Sequence, residues 1–174
     1  FWEAYYPEGA ASDVILNTQP HTGTLRSFTT GLLGTGSRIH PSQIIPAGLW
    51  TIEAGDVFTL GMWVRSGSSL DATDRGLALL HVVDASASPV DADGTDLLLL
   101  FHFDVREDGA YSLVSTSSTP VPPGSNWIGH QVQLHLLNNG ARTEYMVVDD
   151  LCLMASREGD PPPVLRAQYR ADGD

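Results

Sequence analysis

Apolar residues alternate with polar ones over short stretches of this chain, and apolar positions do not recur at helical spacing. Gly, Pro, Ser, Thr and Asp interrupt the alternation at short intervals. The pattern predicts strands at Asp13–Asn17, Thr24–Thr30, Val57–Arg65, Leu77–Val83, Leu97–Val105, Tyr111–Ser115, Ile128–Leu137 and Thr143–Met154, with scarce helix. Strands of this number and length predict an all-β, two-sheet antiparallel sandwich. Asp108-Gly109 and Asn139-Gly140 carry the chemistry of tight turns. They predict that the Leu97 and Tyr111 strands pair as antiparallel neighbours, and that the Ile128 and Thr143 strands do the same. Ser66–Gly76 and Asp84–Asp96 read as long polar loops, and Ser115–Asn126 as a connection without periodicity.

From Ser156 the chain turns polar, and Pro161-Pro162-Pro163 forces an extended segment. The expected division is a sandwich over residues 1–155 and an extended Pro-rich tail over 156–174. Val164, Leu165 and Tyr169 give the tail apolar anchors, and Arg166 and Arg170 give it positive charge. An extended segment of this kind can lie along a sheet edge, of a neighbouring subunit or of its own chain.

Alternation also sorts side chains by face. Phe58, Leu60, Met62 and Val64 share the core face of their strand, and Thr59, Gly61, Trp63 and Arg65 the other. Leu97, Leu99, Phe101 and Phe103 oppose Leu98, Leu100, His102 and Asp104; Val132, Leu134 and Leu136 oppose Gln131, Gln133 and His135. Asp149 falls with Val147, Leu151 and Leu153, which turns one carboxylate inward, where it needs a partner.

With 174 residues and 42% hydrophobic residues, one domain with a substantial core is expected. A net charge of -12 disfavours nucleic acid and anionic membrane surfaces as partners. The longest apolar run, Leu97–Phe101, is strand-sized, so no membrane-spanning helix is expected. Cys152 is alone, which excludes an intramolecular disulfide and leaves it the role of a small buried apolar residue. The chain opens at Phe1 without a charged leader or apolar signal region. It therefore reads as a processed chain or a cut domain of an extracellular or cell-surface protein.

Tyr145-Met146-Val147-Val148-Asp149-Asp150-Leu151-Cys152-Leu153 resembles the closing strand of jelly-roll carbohydrate-binding modules, in which paired Asp residues precede alternating apolar ones. Phe58-Thr59-Leu60-Gly61-Met62-Trp63-Val64-Arg65, after the turn Glu53-Ala54-Gly55-Asp56, and the opening Phe1-Trp2-Glu3 resemble further segments of these modules, although Trp2 stands where a small polar residue is common. Laminin-G-like lectin sandwiches are a second match, but they continue well past the Asp-bearing strand. The first resemblance implies a calcium-containing jelly roll of glycan-binding or adhesive function. It also implies one structural calcium held by Glu3 and Asp149 with backbone carbonyls; the alternative is an Asp149 bonded to loop amides or an Arg.

Asp91-Ala92-Asp93-Gly94-Thr95-Asp96 resembles part of a calcium loop but lacks the distal Glu, and a solvated loop is the plainer reading. If their strands share a sheet, Trp63, Arg65, His102, Asp104, Gln131, Gln133 and His135 form one face on which an indole stacks on a sugar ring and planar polar groups meet its hydroxyls. The plain alternative is a face covered by a loop, the tail or another subunit. Trp50 and Trp127 read as packing residues, and Tyr5 and Tyr6 as a rim. The sequence has no nucleophile elbow, His-Glu-x-x-His run, phosphate loop or Cys-His pairing, so catalysis is not expected. Asp104 and Glu107, beside a turn, are a weak carboxylate pair. Two functions follow: a non-catalytic glycan-binding module, or a structural subunit of an extracellular filament, sheath or shell that binds copies of itself through its tail and sheet edges.

Overall fold

The computed structural model describes residues 3–5, 15–17, 27–33, 37–45, 50–66, 75–92, 94–104, 110–138, 145–157 and 164–169. Their strands are β1 (Glu3–Tyr5), β2 (Ile15–Asn17), β3 (Ser27–Leu33), β4 (Ser37–Ile44), β5 (Asp56–Ser66), β6 (Arg75–Val83), β7 (Leu97–Asp104), β8 (Ser112–Ser117), β9 (Gln131–Asn138), β10 (Tyr145–Arg157) and β11 (Val164–Tyr169). The described residues contain no helix.

Two antiparallel sheets form the sandwich. The first runs β1-β4-β9-β6-β7. The second runs β2-β3-β10-β5-β8, with β11 beside β10. A short β3–β4 pairing, from Gly31 opposite Ile39 to Leu33 opposite Ser37, links the two. Phe58, Leu60, Met62 and Val64 from the second sheet meet Ala78, Leu80, Val132, Leu134 and Leu136 from the first, and all are sealed from water. Phe101 is half-buried against this cluster, as are Trp50 and Trp127; the Trp50 ring meets Phe58 edge-on, with centroids 6.3 Å apart.

Both expected hairpins are corrected. β7 pairs with β6 and β8 with β5, so the chain crosses from the first sheet to the second between them. β9 lies between β4 and β6, and β10 between β5 and the β3/β11 pair, so the chain crosses the sandwich again. β7, β9 and β10 each turn buried apolar residues toward the core, and β8 adds the half-buried Val114. The turn residues themselves lie outside the described residues.

Two β-bulges correct the expected faces. In β10, Asp149 opposes Trp63 but Cys152 opposes Gly61, so Asp150 and Leu151 together face the single Met62. Asp150 takes a left-handed φ of 47°, which a short polar side chain tolerates. The extra residue puts Val148, Leu151, Leu153 and Ala155 in the core and moves Asp149 and Val147 to the side of Trp63 and Arg65. Cys152 follows the same shift to a half-buried position opposite Gly61, and its burial raises the thiol pKa. In β7, Leu99 opposes Leu80 while Leu97 opposes His81, so Leu98 joins Leu99 in the core and Leu97 leaves it.

β10 continues past Met154, with Ser156 opposite Val57 and Arg157 opposite Asp56. Beyond it, β11 lies antiparallel along Leu151–Ala155 of its own chain, so the tail's apolar segment takes an edge of its own sheet. The prolines between them lie outside the described residues. Alternation missed β4, whose Pro41, opposite Ala4, interrupts a mostly polar run.

Candidate functional site

The seven residues expected on one face occupy two. Gln131, Gln133 and His135 on β9 and His102 and Asp104 on β7 lie on the outer face of the first sheet, with β6 between them. Trp63 and Arg65 on β5 lie on the outer face of the second sheet, across the core from the other five. Alternation had told outside from inside for all of them; it does not say which outside.

On the first sheet, two rows cross the face side by side. One carries Ile44, Gln133, His81 and Leu97; the next carries Ser42, His135, Leu79 and Leu100. The His81 and His135 rings stand edge to face with centroids 4.9 Å apart and planes at 66°. His81 Nδ1 lies 2.9 Å from Asp96 Oδ2. Leu79 is half-buried and Leu100 is 53% exposed, so an apolar strip lies directly beside the imidazoles. His102 and Asp104 are exposed further along β7, opposite Leu77 and Arg75. Gln131 donates through Nε2 to the Ile45 carbonyl at 3.4 Å, which ties it to the chain leaving β4.

The loop from β6 to β7 positions Asp96. Asp84 Oδ1 accepts from the backbone N–H of Ser86 and Ser88 at 2.7 and 2.9 Å, and Val90 N–H donates to Val82 O at 2.9 Å. Ala92 and Thr95 bond to each other across Gly94, whose φ of 82° the turn requires. Thr95 Oγ1 then accepts from Leu97 N–H at 2.9 Å, and Val82 N–H donates to Asp96 O at 2.8 Å, which fixes the carboxylate over β6. In the stretch read as part of a calcium loop, Asp96 thus holds a histidine and Asp91 is exposed, while Asp93 lies outside the described residues. His81, Leu79 and Leu100 were not among the sequence-derived candidates, and Asp96 entered only through the calcium-loop resemblance. Their signal was the β6 alternation Leu77, Leu79, His81, which places a histidine on the face of Gln133 once β6 and β9 are known to pair.

On the second sheet, Trp63 lies between Leu113 and Asp149. The Arg65 guanidinium stands 5.3 Å from the centre of the Tyr111 ring. Asp149 is 2% exposed although it belongs to this outer side, and its Oδ1 accepts from Asp150 N–H at 2.9 Å. Val147, opposite Arg65, is also sealed from water, so this flank is covered. Glu3 sits opposite Ser42 on the first sheet, and its side chain lies outside the described residues. Among the described residues no group of three His, Cys, Asp or Glu side chains is placed to hold a metal ion.

No protein-family model and no curated protein matches the sequence. Solved structures do match the fold. The CBM22-1 xylan-binding domain of Paenibacillus barcinonensis Xyn10C is 14% identical over 87% of this chain and 83% of that one, with a TM-score of 0.56. A Stig cyclase from Fischerella sp. TAU is 13% identical over 90% of this chain and 85% of that one, with a TM-score of 0.61. The enzymatically active domain of tailspike protein 4 from bacteriophage CBA120 is 15% identical over 84% of this chain, with a TM-score of 0.54; this chain spans only 18% of it. Carbohydrate-binding modules CBM4 and CBM61 also match, at TM-scores of 0.52 and 0.50. The chain is a jelly-roll β-sandwich of the architecture that carbohydrate-binding modules share.

Proposed function

We propose that this chain is a non-catalytic, extracellular glycan-binding module and that the outer face of its first sheet is the binding surface. The observation that carries the reading is the juxtaposition of His81, His135 and Gln133 with the apolar Leu79–Leu100 strip. A sugar ring has apolar C–H faces and a rim of hydroxyls, so a flat apolar strip beside planar hydrogen-bonding groups complements both. The carbohydrate-binding modules that share this sandwich support the reading. The net charge of -12 favours neutral over anionic sugars. The Trp63 face is the weaker choice, because its flank at Val147 and Asp149 is closed.

A glycan array followed by calorimetry with the strongest hit tests this. His135→Ala and Gln133→Ala should each weaken binding by about tenfold or more, roughly 1.4 kcal/mol. Trp63→Ala should leave retention unchanged. Binding lost with Trp63→Ala and kept in both other variants would move the site to the second sheet.

A further inference from the structure

The His81–Asp96 contact fixes what the face offers a ligand. An ionised carboxylate has acceptors only, so at 2.9 Å from Asp96 Oδ2 the Nδ1 of a neutral His81 carries the hydrogen, and Nε2 presents a lone pair. Both side chains are mostly shielded, at 22% and 23% exposure, so water competes poorly for the bond. Asp96 is held by the turn at Ala92–Thr95 and by Val82 N–H, and the His135 ring leans on His81 from the next strand.

We propose that Asp96 is a positioning residue that locks His81 as the Nδ1–H tautomer, so that the face reads a hydroxyl donor of a neutral sugar and rejects carboxylated or sulfated glycans. This rests on the glycan-binding reading of the same face. A sugar hydroxyl can donate to Nε2. A carboxylate or sulfate ester has only acceptors to set against that lone pair, and it also meets the Asp96 charge. In Asp96→Asn the side-chain amide can donate to Nδ1 instead, which moves the imidazole hydrogen to Nε2 and turns the acceptor into a donor. The variant keeps the size of the side chain and reverses the polarity of the hydrogen bond when its Nδ2, rather than its Oδ1, faces Nδ1.

The experiment has two arms. Nitrogen-15 NMR of the histidine side chains in weakly alkaline buffer, where imidazole is neutral, reads the tautomer without any ligand. His81 should be Nδ1–H in the wild type and Nε2–H in Asp96→Asn. An array of neutral and acidic glycans then compares the two proteins at equal melting temperature. Asp96→Asn should lose about tenfold in binding to neutral hits, roughly 1.4 kcal/mol, and should discriminate less against uronate-containing ones. A wild-type His81 protonated at Nε2 overturns the inference, as does a switched tautomer with an unchanged glycan profile. An unswitched tautomer in the variant with an altered glycan profile also overturns the inference. A blank array with the expected tautomers overturns the glycan reading instead and leaves the lock standing.

Discussion

Gly76→Ala should be among the most damaging single-methyl additions the sandwich can receive. Gly76 faces inward on β6, between Phe103 on β7 and Asn138 on β9. The Phe103 ring lies over the glycine where a Cβ would stand, an overlap that the ring must move to relieve. Phe103 is only 6% exposed and packs at 5.3 Å, centroid to centroid, on Phe101. Moving it either disturbs that pair or expels an aromatic ring from the core. Overpacking alone costs about 1–3 kcal/mol, and losing a buried Phe about 3–5, so an effect between the two is expected. Urea unfolding should show the midpoint falling with the slope unchanged. Gly76→Ala/Phe103→Leu should recover much of the loss, since the smaller residue makes room. Gly61→Ala is the control: its Cβ would meet Ser115 at an ordinary 3.9 Å, and the change should be near neutral or mildly stabilising. Equal losses at both glycines would discard the explanation.

Asp56→Ala should be the second large loss. Asp56 has no exposed surface. Its Oδ1 accepts from Arg157 Nη2 at 2.6 Å and Nε at 3.0 Å, and its Oδ2 accepts from Glu53 N–H at 2.8 Å. The Asp56 hydrogen bond is the main cause that raises the Arg157 pKa. One carboxylate therefore ties the turn before β5 to the far end of β10, two segments 101 residues apart. Truncation leaves the Glu53 amide and the guanidinium to find other partners. Arg157 keeps Glu53 at 2.9 Å and an open side to water, so the orphaned, part-buried amide dominates, toward the lower end of the about 1–3 kcal/mol that an unsatisfied buried donor costs. Arg157→Met is expected to be worse than Asp56→Asn, because it strands a charge in the interior whereas the amide strands none. The double variant should recover part of the Arg157→Met loss. Thermal unfolding of the three variants decides the order, and an Asp56→Asn that is worse than Arg157→Met would show that hydrogen-bond geometry, rather than charge, governs this corner.

The alternation at Phe58–Val64 and Val132–Leu136 was readable because each strand is half-buried, so its sequence reports its environment residue by residue. Bulges are silent in the same language. Nothing in Val147–Leu153 announces that two residues will face Met62, yet that insertion decides that Asp149 leaves the core side while Leu151 stays. Turn signals were readable as reversals but not as pairings, because Asp108-Gly109 and Asn139-Gly140 sit equally well in a hairpin or a crossing between sheets. The candidate site split for a related reason. An outer residue carries the mark of solvent, and solvent lies on both sides of a sandwich. His81 became visible only when the pairing of β6 with β9 set it opposite Gln133.

The bulge in β10 also marks where that strand changes neighbours on one side, from β3 at Tyr145–Val148 to β11 at Leu151–Ala155. A single long strand thus has its flank closed by two short ones laid end to end, and the second arrives last in chain order. During synthesis on the ribosome, Leu151–Ala155 emerges with its outer backbone groups uncapped until Val164–Tyr169 follows. An unpaired strand edge of this kind is a template on which neighbouring chains pair. A chain cut after Arg157 keeps that nascent condition permanently, so it should form concentration-dependent oligomers in light scattering where the full chain does not. β11 covers, within its own sheet, the backbone edge of β10 that the cut would open.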